Sequence, residues 1–173
     1  MLRVAIILGS TRPERNGEAV AKWVYEMVKK RNDAEFELVD VRDFDLPLLD
    51  EPIPPSQGKY SKEHTKTWAA KINSFDAYIF VTAEYNHGIP GALKNAIDFL
   101  YKEWNNKVAG FVSYGSVGGV RSVEQLRLVM AEQMRGEDQA AGGDAGAAAG
   151  DERPGRIDTR IGEQAPDVVG RAE

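Results

Sequence analysis

The chain has 173 residues, with 22 Lys plus Arg against 27 Asp plus Glu and a formal charge of −5. That length predicts one domain, and the acidic balance speaks against duplex nucleic acid or an anionic membrane as partner, since both need a clustered positive field. With no cysteine and only His64 and His87, the chain cannot form disulfides or thiolate sites and is poorly equipped for a multi-histidine metal site.

No apolar run approaches the ~18 residues of a membrane helix. The start, Met1 to Leu8, is too short for a signal peptide. The expectation is a soluble, cytoplasmic protein.

Val4–Leu8 is a continuous apolar run closed by Gly9-Ser10-Thr11, the pattern of a strand buried on both faces. Val20, Trp23, Val24, Met27 and Val28 recur at helical spacing. They predict an amphipathic helix from Gly17 to Arg31 with Asn16 as N-cap. Phe36 to Val41 reads as a second strand. Asp45 to Ser61 holds four prolines and three acidic residues and reads as a surface excursion. A helix follows over 62–73, with Trp68, Ala69 and Ile72 inward. Ala77 to Val81 is a third buried strand. Pro90 opens a helix through Glu103, Val108 to Val112 forms a fourth strand, and Gly118 or Gly119 opens a last helix through Val123, Leu126, Val129 and Met130.

Strands alternating with helices predict an α/β domain, a doubly wound parallel sheet between two helical layers. Ligands of such sheets sit at the carboxyl ends of the strands. Three loops there are chemically distinctive.

Gly9-Ser-Thr-Arg-Pro-Glu-Arg-Asn-Gly17 joins a strand to a helix N-terminus, where free N–H groups and the helix dipole favour an anion. Ser10 and Thr11 add hydroxyls, and Arg12 adds a fork for phosphate oxygens. No P-loop lysine and no G-x-G-x-x-G are present. The segment reads equally as an anion cradle or as an ordinary Ser/Thr-capped turn. After the third strand, Glu84-Tyr-Asn-His87 packs an acid, an aromatic, an amide and an imidazole together, a set suited to a planar ring. After the fourth, Ser113-Tyr-Gly-Ser-Val-Gly-Gly119 allows close backbone approach to a flat ligand.

Together, Gly9-Ser-Thr-Arg12, Glu84-Tyr-Asn86 with Pro90-Gly-Ala-Leu-Lys-Asn-Ala-Ile-Asp98, and Ser113-Tyr-Gly115 with Gly118-Gly-Val-Arg121 resemble the NADPH-dependent FMN reductase family over about residues 1–134. The resemblance implies a flavodoxin-like fold. It also implies FMN and NADPH (or NADH) as cofactors, an FMN 5′-phosphate held by Ser10, Thr11, Arg12 and Asn16, and an isoalloxazine ring lying along Glu84, Tyr85 and Asn86. Ser113, Tyr114, Gly115 and Gly118 would meet the other polar edge of that ring. It further implies a homodimer or homotetramer and a small electron acceptor: a flavin, quinone, azo compound or metal oxyanion. No side chain is required as catalytic acid or base, because the cofactor carries the chemistry. Arg121 is expected either to meet a NADPH phosphate or to solvate the start of its helix. Two other readings stand beside this one, a flavodoxin-like electron carrier and an inactive remnant.

The sequence departs from the family in two places. Ala83 stands where the family has Pro, and the fifth strand and closing helix are missing or altered. From Arg135 onward, Gly and Ala supply 16 of 39 residues, with no Lys and no aromatic residue. Residues 135–173 are therefore expected to form a disordered, low-complexity tail. Their composition fits an out-of-frame C-terminus or, as the alternative, a natural acidic linker. Only Asp167-Val-Val169 offers a scrap of strand.

Overall fold

The computed structural model describes residues 1–135. Everything expected of the tail beyond them, including the strand scrap at Asp167–Val169, lies outside the described residues. Four strands form one parallel sheet: β1 (Leu2–Leu8), β2 (Ala34–Asp40), β3 (Ala77–Ala83) and β4 (Val108–Tyr114), in the order β2-β1-β3-β4. Four helices connect and follow them: α1 (Gly17–Val28), α2 (Glu63–Asn73), α3 (Gly91–Asp98) and α4 (Val120–Gln133). This is the predicted doubly wound architecture. β1 is paired on both sides, with Ile6 opposite Leu38 and Ile79, and β4 lies at the edge of the described sheet.

Alternation along β1 divides the core. Ala5 and Ile7 face a large cluster with Trp68, Phe80, Leu93, Ile97, Trp104 and Leu126, covered by α2, α3 and α4. Ile6 and Leu8 face a small cluster with Ala21, Val24 and Val81, covered by α1. Trp68 and Trp104 are core residues, and each indole N–H finds a carbonyl, Ala96 O at 2.8 Å and Ile97 O at 3.2 Å.

The boundaries shift where backbone geometry overrides pattern. The first helix stops at Val28 rather than Arg31, with Lys29 N–H bonded to Tyr25 O. Asn16 is not a side-chain cap: its backbone is already helical (φ −65°, ψ −22°) and its amide makes no cap hydrogen bond. The helix expected over 90–103 ends at Asp98 and resumes as a 3₁₀ turn, Lys102–Trp104. Tyr101 breaks it at φ −137°, with its N–H donating to Tyr60 Oη at 3.4 Å. The proline-rich excursion is tied down. Asn95 bonds Leu49 N–H and Pro47 O, and Glu51 accepts from the N–H groups of Ser61 and Lys62 at the start of α2.

Candidate functional site at the carboxyl edge of the sheet

The three distinctive loops all leave this edge and meet there. The first is pinned from below, since Gly9 N–H donates to Val81 O at 3.0 Å. A Cβ on Gly9 would come within 2.6 Å of Leu93, so only glycine lets the loop pack on α3. Ser10 is fully buried, with Oγ 2.7 Å from Tyr85 Oη, which joins the first loop to the second. Thr11 is half-buried, while Arg12 and Asn16 are exposed. Arg12 pairs with no carboxylate among the described residues, so its guanidinium is free to meet an anion.

Arg15, which sequence reasoning did not select, holds this loop in shape. Its guanidinium is buried, donates to Ser10 O at 2.6 Å and pairs with Asp40 at the end of β2. Spacing gave no signal for this role, because Arg12 and Arg15 flank the same turn and only the fold decides which one turns inward.

The second loop is a two-residue turn. Tyr85 and Gly88 exchange backbone hydrogen bonds at 3.1 and 3.0 Å, with Asn86 and His87 in the left-handed region at φ 49° and 67°. Asn tolerates that conformation, and the turn presents Tyr85 and Asn86 on the surface. His87 is exposed, and its carbonyl accepts from Gln125 Nε2 at 2.8 Å. The Glu84 carboxylate is committed: Oε1 lies 3.2 Å from Arg121 Nε, and Oε2 accepts from Arg121 N–H at 3.2 Å. Arg121 is thus engaged by Glu84 through both its side chain and its backbone. It locks the second loop to the first turn of α4.

In the third loop, Ser113 Oγ donates to Gly118 O at 2.7 Å and Gly118 N–H donates to Gly115 O at 3.0 Å. Gly119 (φ 74°) sits where a Cβ would lie 2.8 Å from that of Ser113. A Cβ on Gly118 would meet nothing within 4 Å, so the loop has an open side.

These parts converge on the start of α1. A Cβ on Gly17 would lie 2.3 Å from Tyr114 Oη, so the end of β4 reaches across the helix terminus. Tyr114 Oη and Arg15 Nε are both buried without a hydrogen-bond partner. Burial and then the neighbouring Tyr85 push the Tyr114 hydroxyl above the usual phenol range, while Arg15, the Gly17 backbone N–H and Arg12 pull the other way. The first turn of α1 has no side-chain cap, which leaves its N–H groups for an anion. An uncapped helix start, a buried phenol without a partner and a free guanidinium form a donor set for phosphate. The flat glycine loop and the Tyr85-Asn86 turn beside it suit a planar ring, so the residues present fit FMN. A cleft of about 290 Å³, lined by Thr11, Val41, Arg42, Asp45, Leu46, Ala92 and Asn95, adjoins the first loop. Among the described residues, no three potential ligand side chains come together as a metal site, and no helix is long and apolar enough to cross a membrane.

Comparison with known proteins points to one family. An NAD(P)H-dependent FMN reductase of a Nectria species is 44% identical over 140 residues, covering 75% of this chain and 70% of that one. An NAD(P)H-dependent FMN reductase of Schizosaccharomyces pombe is 44% identical over 129 residues, covering 73% and 64%. Among solved structures, the flavoenzyme NAD(P)H:(acceptor) oxidoreductase FerB of Paracoccus denitrificans superposes with a TM-score of 0.64 at 25% identity, covering 78% of this chain and 74% of that one. The pattern of the NADPH-dependent FMN reductases matches residues 2–139, and the chain belongs to that family.

Proposed function

We propose that this chain is an NAD(P)H-dependent FMN reductase that passes hydride from NADPH or NADH, by way of bound FMN, to a small acceptor such as a flavin, quinone, azo compound or metal oxyanion. The observation that carries the reading is the set of unmet donors at the start of α1: Tyr114 Oη over Gly17, the uncapped first turn and the unpaired Arg12.

Ser10, Thr11, Arg12 and Asn16 hold the phosphate. Ser10 contributes through its place beneath the loop, where its hydroxyl also orients Tyr85. Glu84, Tyr85 and Asn86 line the ring; Glu84 acts by positioning, since its carboxylate is spent on Arg121. Ser113, Gly115, Gly118 and the backbone of Tyr114 meet the opposite polar edge, where the glycines let backbone N–H groups approach closely, while the Tyr114 hydroxyl turns toward the phosphate at Gly17. FMN, when bound, supplies the hydride chemistry. What the protein adds is position and charge, and no side chain in the three loops is placed as a general base. The protein works in the cytoplasm as a homodimer or homotetramer.

The test is purification of the full chain with added FMN, identification of the retained flavin, and measurement of NADPH oxidation with a quinone. Arg12→Ala should weaken FMN binding by about 1.5–3 kcal/mol, the scale of a hydrogen bond to a charged group. Retention of flavin without NADPH oxidation would favour the electron carrier instead. Failure of folded protein to take up FMN would overturn the reading.

A further inference from the structure

We infer that the cleft beside the first loop takes the adenosine end of the nicotinamide coenzyme, and that Arg42 receives its 2′-phosphate and so selects NADPH over NADH. This rests on the reductase reading for the identity of the dinucleotide, while the cleft itself shares only Thr11 with the three flavin loops. The cleft holds about 290 Å³, just below the roughly 300–1,000 Å³ of small-molecule sites. It therefore has room for one end of a dinucleotide and not for the whole.

The lining suits a nucleoside. Val41, Leu46 and Ala92 supply an apolar surface for a ring. Asn95 has both ends of its amide occupied, by Leu49 N–H and Pro47 O. The polar groups left to a ligand are the Thr11 hydroxyl, the Asp45 carboxylate and the Arg42 guanidinium, whose side chains make no hydrogen bond or ion pair among the described residues. A carboxylate only accepts, so Asp45 fits the amino group of adenine or the ribose 3′-hydroxyl. A guanidinium fork fits phosphate oxygens.

The end of β2 decides between the two coenzymes. A free carboxylate there can accept from a ribose 2′-hydroxyl, whereas an arginine nearby accommodates a 2′-phosphate. β2 ends on Asp40, and both of its carboxylate oxygens are taken. Oδ2 pairs with the buried Arg15, and Oδ1 accepts from the Arg42 backbone N–H at 3.0 Å. The group that would favour an unphosphorylated ribose is thus withdrawn, and the exposed side chain of Arg42 follows two residues later. Of the other arginines at the carboxyl edge, Arg15 is spent on Asp40 and Arg121 on Glu84. Arg12 serves the proposed flavin phosphate, so Arg42 remains for a second one. Thr11 belongs both to the cleft and to the first loop, which sets coenzyme and flavin side by side.

The test uses the full chain and begins with binding alone. Calorimetric titration should show adenosine 2′,5′-bisphosphate binding about tenfold tighter than 5′-AMP, the scale of a hydrogen bond between charged groups. The difference should hold in the flavin-free and the FMN-saturated protein alike. In Arg42→Ala it should vanish while 5′-AMP binding stays the same. Arg42→Lys keeps the charge and loses the fork, so it should retain part of the difference. Both variants keep the backbone N–H that holds Asp40, and the side chain they change is exposed, so the fold is preserved. In turnover, Arg42→Ala should raise KM for NADPH about tenfold at unchanged kcat, and both constants for NADH should stay as they are. Equal affinity for the two nucleotides in the parent would overturn the inference, as would a difference that survives Arg42→Ala or that bound FMN abolishes. The expected nucleotide binding in a folded chain that takes up no flavin would support the cleft and overturn the reductase reading.

Discussion

Tyr114 shows how one side chain can be wrong for the protein alone and right for its ligand. Its hydroxyl is buried against the backbone of Gly17 and meets no acceptor for its own proton. A buried polar group without a partner costs stability, while the same hydroxyl beside an uncapped helix start can donate to a bound anion. The two effects separate in one variant. Tyr114→Phe should leave the flavin-free protein as stable as the parent or up to about 1 kcal/mol more stable, because only an unmet group is removed. It should weaken FMN binding by about 1.5–3 kcal/mol, because a hydrogen bond to a charged phosphate is lost. Chemical denaturation of the flavin-free chain and a fluorescence titration with FMN measure the two sides. A loss of stability together with unchanged affinity would remove Tyr114 from the phosphate site. Arg15 is the contrast: both its Nη groups are already spent, on Ser10 O and Asp40, so it shapes the cradle while Arg12 is left to fill it.

Among the elements, α2 depends on a residue eleven positions before its own N-cap. Lys62 occupies that cap with no side-chain hydrogen bond, and Glu51 supplies the acceptor instead, taking the N–H groups of Ser61 and Lys62 and the Ser61 hydroxyl. Burial pushes this carboxyl up, but those donors outweigh it and hold it down at about 2 against an ordinary 4.5. A carboxyl lowered on folding contributes stability that is fully present above its unfolded value and is lost as pH falls through its folded one. The Glu51 contribution is therefore complete above pH 4.5 and fades toward pH 2. Glu51→Gln should cost about 0.5–2 kcal/mol at neutral pH, the range for loss of a helix cap, and should flatten the fall in melting temperature between those pH values. Melting curves of both proteins across that window check it, and parallel curves would count against it. The long tie from Glu51 to α2 was not legible in the sequence, because a loop with four prolines carries no periodicity to fix its path. The strands were legible because Val4–Leu8 and Ala77–Val81 are apolar on both faces, which few other elements are. The meeting of three loops at the carboxyl edge of the sheet was legible, because unusual residues crowd the strand ends at Ser10, Glu84 and Tyr114. The partner of Arg121 was not, since its ion pair with Glu84 spans 37 residues and depends on how α4 docks. Asn16 misled as a cap because the turn before it, with Glu14 at φ 53°, brings the chain into helical geometry one residue early.

For the whole molecule, the two faces of the sheet are unequal in a way that ties ligand binding to stability. Among the described residues, the α2–α4 side buries 19 residues in one cluster, while the α1 side buries five. The proposed phosphate cradle is built from the weaker side: Gly17 opens α1, and Tyr114, which packs against that smaller cluster, reaches over it from β4. An anion held there would bridge α1 to β4 and reinforce the face with the smaller cluster among the described residues. A ligand that binds only the folded chain stabilises it by about 2.7 kcal/mol at one hundred times its dissociation constant. For a domain of this size each kcal/mol raises the melting temperature by about 2–4 °C, so saturating FMN should raise it by roughly 5–11 °C. Riboflavin offers the same ring without the phosphate and should give a much smaller shift at equal concentration. In Arg12→Ala the advantage of FMN over riboflavin should shrink, while the riboflavin shift itself stays the same. Thermal unfolding with each flavin, for the parent and the variant, measures all four values. Equal shifts from FMN and riboflavin in the parent would mean that the ring alone is recognised and that the uncapped start of α1 holds no phosphate.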